Sequence, residues 1–161
     1  MFKRLWITWV TLRNEIPWRR PSRGESGVWV GGIPSRRRWK KLNDHGVRVV
    51  VDLADEAEPP SWLGAGPDLH WFPTRDRQAI SLDDLAAACG VLDEAVKARR
   101  GALICCGAGK GRAPTVYAAW LIWKGVDVAD ALARLVAFRR IAKPTPPQLA
   151  RLGEWARQLK G

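Results

Sequence analysis

The sequence predicts an α/β fold, a small and largely parallel central sheet flanked by helices. Three observations carry this expectation. Apolar, β-branched runs alternate with longer capped segments in the order β-α-β-β-α-β-α-α-α. The runs at residues 47–53 and 101–105 are nearly continuous rather than alternating, as in strands covered on both faces. The length, 161 residues, suits a single domain.

Residues 1–26 read as a basic, tryptophan-rich arm that closes in the turn-forming stretch 21–27, and residues 27–161 as the domain. Residues 28–30 form a short strand, and Gly31, Gly32 and Pro34 a turn. Ser35 is a good N-cap for a helix to about residue 45, stopped by Gly46. Residues 47–53 are a buried strand. A loop with Pro59, Pro60, Gly64, Gly66 and Pro67 leads to a strand at 69–72. Ser81 caps a long helix to about Arg99, with Asp84 at the capping-box position. Residues 101–105 are a short buried strand, and the loop 107–111 contains three glycines. Pro114 suits the first turn of a helix reaching about Lys124. Asp127 and Thr145 cap two more helices, with Pro146 opening the last.

Composition narrows the function classes. The longest uncharged apolar run near the start has eight residues, too short to cross a bilayer. Three cysteines, two of them adjacent, make no disulfide framework, which points to a reducing, cytoplasmic compartment. Cys89 reads as a buried helix residue. The net charge is +11, and the first 41 residues carry eleven Lys/Arg against two acids. Such a segment suits an anionic partner, or simply a solvated surface. The run Arg36, Arg37, Arg38, Lys40, Lys41 is expected on an exposed helix face rather than in a nucleic-acid site. Trp6 and Trp9 beside Lys3 and Arg4 suit a peripheral membrane contact, or pack back onto the domain.

Sites in parallel sheets gather beyond the carboxyl ends of strands, which singles out the loop after Cys105. Gly107, Ala108, Gly109, Lys110 and Gly111 can turn successive amides inward at a helix start, a nest for a phosphate dianion. Arg112 adds a bidentate fork, and Cys106 at the base of this positive cradle is a candidate nucleophile. The spacing fits neither a Walker loop nor a dinucleotide fingerprint, and the cysteines and two distant histidines do not form a zinc set.

Cys106, five residues, then Arg112 matches the C-x5-R signature, and the chain resembles the cysteine-dependent protein tyrosine phosphatases in their dual-specificity branch. The stretches 28–34, 42–53, 72–76 and 125–148 resemble that branch at pattern level, so the fold is expected to be dual-specificity-phosphatase-like. The resemblance implies that Cys106 forms a phosphocysteine intermediate, that Arg112 and the loop amides hold the phosphoryl oxygens, and that Asp76 is the general acid. It implies a water-positioning role for Gln148, otherwise a residue of a helix first turn, and no metal or organic cofactor. The substrate expected first is a phosphorylated protein. A phospholipid is the alternative, since residues 73–76 with 81–85 resemble the phosphatidylglycerophosphate phosphatase branch. Cys105 stands where the family usually has His, and Ala113 where most members have Ser or Thr. These two departures keep a binding-only pseudophosphatase open as a further reading.

Overall fold

In a computed structural model, residues 1–64 and 68–161 are described. The strands are β1 (Ser22–Arg23), β2 (Val28–Gly32), β3 (Val47–Ala54), β4 (Asp68–Thr74) and β5 (Gly101–Cys106). They form one sheet in the order β1-β2-β5-β3-β4. β2, β5, β3 and β4 run parallel, and β1 pairs antiparallel to β2. The helices are α1 (Phe2–Arg13), α2 (Arg36–Asp44), α3 (Ser61–Gly64), α4 (Leu82–Lys97), α5 (Arg112–Trp123), α6 (Val128–Phe138) and α7 (Pro146–Lys160).

Strand alternation divides the core in two. Val49, Val51, Ile104 and Cys106 face one side, where α4, α5, α6 and α7 pack. Val47, Val50, Leu103 and Cys105 face the other, against Val10 of α1, Trp39 and Leu42 of α2 and Leu63 of α3. Almost all of α5 is buried, because it lies between the sheet and α4, α6 and α7; its apolar run has no polar face to offer.

The expected elements are present with ends shifted by one or two residues. Ser35, Ser81 and Asp127 each accept a backbone N–H three residues on, at 2.9–3.1 Å. Thr145 and Gln148 form a reciprocal capping box at the start of α7. Three elements go beyond the sequence reading: α1, β1 and the short α3. The loop predicted around Gly64 is therefore partly helical, and Gly66 and Pro67 lie outside the described residues. α1 escaped notice because its apolar residues fall on two sides, which blurs helical periodicity.

Candidate active site

β5 ends at Cys106 and α5 begins at Arg112, so the loop 107–111 sits at the carboxyl edge of the sheet. Four of its five carbonyls, those of residues 107–110, are tied to groups outside the loop and α5. Gly107 O accepts from Asn14 Nδ2 at 3.0 Å. Ala108 O and Gly109 O accept from Arg139, at 3.4 and 2.6 Å. Lys110 O accepts from the Lys143 backbone N–H at 2.7 Å. Across a trans peptide the N–H points opposite to the C=O, so these bonds turn the amides of the loop inward. The Gly109 N–H donates to Cys106 Sγ at 3.3 Å.

Two glycines are needed for their space. Gly109 has φ +65°, and a Cβ there would collide with the Gly31 and Gly32 backbone. A Cβ on Gly111 would lie 2.8 Å from Gln148 Oε1.

Arg112 is buried, with its guanidinium clamped from behind. Nη1 donates to Thr74 O at 2.8 Å and to Glu56 Oε2 at 3.0 Å; Nη2 donates to Glu56 Oε1 at 2.7 Å. Burial alone would push the Glu56 carboxyl up, but the Arg112 hydrogen bonds and charge outweigh it and hold Glu56 below its ordinary value. Arg112 Nε–H is buried and has no partner among the described residues. An orphaned guanidinium donor is costly, and it marks where an anionic oxygen belongs.

Asp76 lies 3.3 Å from Arg112 Nη2, with its side chain two-thirds exposed (67%). Its loop is held from α7: Thr145 Oγ1 donates to Arg77 O at 2.7 Å, and Gln148 Nε2 donates to Gln78 O at 3.0 Å. Gln148 is buried. Gln148 Oε1 accepts from the Thr145 N–H at 2.8 Å. Its Nε2 thus holds the Asp76 loop, while its Oε1 closes the capping box of α7.

Cys106, Asp76, Arg112 and Gln148 together line a cavity of about 430 Å³. Arg13, Arg77, Lys110 and Lys143 complete a basic rim, and no aromatic side chain lines it among the described residues. No group of three or more His, Cys, Asp or Glu suited to a metal ion occurs among them either.

Four contributors were missed by sequence reasoning: Asn14, Asp52, Glu56 and Arg139. Glu56 follows β3 at the same carboxyl edge, a signal that strand-end logic could have used. Arg139 gave none: it is buried without a carboxylate, satisfied by carbonyls and by Ser22 Oγ at 3.0 Å, and burial lowers its pKa to about 10. Asp52 is buried beneath the loop, in register with Cys105, and accepts the Ala54 N–H at 3.0 Å. Burial raises its pKa to about 7. Burial likewise pushes the Cys105 thiol up, with the neighbouring Asp52 adding to it. Cys105 and Cys106 face opposite sides of the sheet, and all three cysteines are free.

No curated protein matches the chain. Among solved structures, PTPMT1 is 19% identical with a TM-score of 0.78, over 88% of this chain and 96% of that one. A further structure of PTPMT1 is a complex with PI(5)P. Human DUSP28 is 22% identical with a TM-score of 0.77, over 86% and 97%. Tk-PTP, in its active form, is 27% identical with a TM-score of 0.74, over 81% and 92%. At such identities the first two establish the fold. A family model described as "polymorphic toxin system, DSP-PTPase phosphatase" matches residues 27–126, well over half of the chain. The chain belongs to that family, and is a cysteine-dependent phosphatase of the dual-specificity branch.

Proposed function

We propose that Cys106, Arg112 and Asp76 hydrolyse phosphate monoesters through a phosphocysteine intermediate. The observation that carries this reading is the outward tie of four loop carbonyls, which leaves inward amides around Cys106 Sγ. The Cys106 thiolate attacks phosphorus; the P–S bond forms as the P–O bond to the leaving group breaks. Arg112 and the loop amides hold the equatorial oxygens, which carry the transition-state charge. Asp76 gives its proton to the leaving oxygen. A water then attacks phosphorus, Asp76 takes the proton, and the thiolate leaves as inorganic phosphate forms.

The rim favours a substrate with more than one anionic group. Arg13, Arg77, Lys110 and Lys143 surround the cavity, and no described aromatic ring is there to stack on a phosphotyrosine. A phospholipid headgroup suits this rim better than a phosphoprotein, and the similarity to PTPMT1, whose complex with PI(5)P has been solved, supports the same choice.

The test is p-nitrophenyl phosphate hydrolysis with reductant and chelator, in wild type and Cys106→Ser. Wild-type turnover that is lost in the variant, with inorganic phosphate binding retained, is expected. Turnover by the variant refutes the nucleophile assignment, and no turnover by either favours a binding-only protein. Rates on PI(5)P and on a phosphotyrosyl peptide then decide the substrate class, the lipid being the faster.

A further inference from the structure

α1 is apolar on two opposite sides. One side packs on the domain, with Val10 and Thr11 buried and Trp6 and Ile7 against the core. The other carries Phe2, Leu5, Trp9 and Leu12, which are 83, 59, 53 and 68% exposed. Their spacing of three and four residues aligns them in one stripe. A helix with two apolar faces requires cover on both, and an apolar stripe left in water marks a contact surface.

The charge around the stripe says what covers it. Arg13 borders it and Arg19 and Arg20 follow just beyond the helix, while Lys3 and Arg4 are exposed on the side nearer residues 57–62. Glu15 is the one acid in the first twenty residues, and it is paired with Arg38 at 2.8 Å. Arg13 lies over the Trp9 ring at 4.7 Å, and Trp18 is exposed just beyond the helix. Tryptophan and leucine beside cations are what an anionic bilayer interface takes, the rings at headgroup level and the cations on lipid phosphates.

We propose that the Phe2, Leu5, Trp9 and Leu12 face of α1 docks this protein on anionic membranes and brings the catalytic cavity to lipid headgroups. The proposal rests on the lipid reading above for what is hydrolysed there, but not for the docking itself. The geometry links the two, since Arg13 at the end of α1 lines the catalytic cavity and the next residue, Asn14, holds Gly107 O. For that reason point variants are the right probe; removing the whole arm would also strip the loop of Asn14.

The experiment is sedimentation of the full chain with vesicles of phosphatidylcholine alone and with added phosphatidylglycerol, comparing wild type with Leu5→Gln/Leu12→Gln. Wild type is expected on the anionic vesicles and not on the neutral ones, and the double variant should lose about tenfold or more in affinity. Equal binding to both vesicle types, or unchanged binding by the variant, overturns the proposal. So does a wild-type dimer that the variant dissociates while neither binds vesicles, because the face would then meet a second copy. Turnover of p-nitrophenyl phosphate without vesicles should be equal in the two proteins. Vesicle binding by a wild type without any turnover sinks the catalytic reading and leaves docking intact. If the variant fails to fold, quenching of wild-type tryptophan fluorescence by brominated acyl chains decides: quenching upholds the proposal, and its absence overturns it.

Discussion

Asp76 and Asp52 are carboxylates of one strand-end region with opposite surroundings. Asp76 is exposed on the rim, beside Arg112. In the proposed reaction it must protonate the leaving oxygen, a contribution of roughly 10²–10⁴-fold when the leaving group is poor. Asp76→Asn should therefore slow hydrolysis of an alkyl phosphate far more than of p-nitrophenyl phosphate, whose leaving group needs little help. Equal slowing in steady-state rates would remove Asp76 from that role. Asp52 is buried and titrates at about 7, whereas an unfolded aspartate titrates near 4. Between those values the folded chain holds the extra proton, so stability falls as pH rises and the cost is complete above about 7. Asp52→Asn stays neutral at every pH and can still accept the Ala54 N–H. The variant should match wild type near pH 4 and exceed it by on the order of 4 kcal/mol at pH 8 in urea unfolding. Parallel pH profiles would mean that the buried carboxylate carries no such penalty.

At the scale of elements, the loop 107–111 is held by parts of the chain far away in sequence. Asn14, just past α1, donates both to Ile33 O and to Gly107 O at 3.0 Å. Arg139, just past α6, joins the loop to β1 through Ser22. Asn14→Ala leaves two buried carbonyls without their donor, at a cost of about 1–3 kcal/mol. It should lower the urea midpoint and also reduce kcat, because one of the ties that turn the loop amides inward is lost. A lower midpoint with kcat unchanged would make Asn14 a structural residue only. What the sequence made legible follows the same division. Cys106, Arg112 and the glycines lie within one short window and signal themselves by type and spacing. Asn14, Glu56 and Arg139 reach the site only through tertiary packing, and no local pattern announces a side chain that bonds a carbonyl a hundred residues away.

Across the whole molecule, the strands and caps of residues 27–161 were readable because each obeys its own local rule: a β-branched run for β3, a short apolar run for β5, hydroxyl or carboxylate caps before α2, α4 and α6. The first 26 residues were not, because the apolar residues of α1 fall on two sides and β1 is only two residues long. Yet this part supplies Arg13 and Asn14 to the site and carries six Lys/Arg against two acids. No helix among the described residues is long and apolar enough to cross a membrane.

The sheet order has a consequence for how the molecule meets its own copies. Its two outer strands are β1 and β4. β1 offers two residues and is preceded by Pro21; β4 carries Pro73, which has no N–H to give. β1 is too short to template a strand, and Pro73 shortens the run of donors that β4 offers to a neighbouring chain. If α1 docks the chain on a membrane as proposed, these edges limit strand addition at the high local density there.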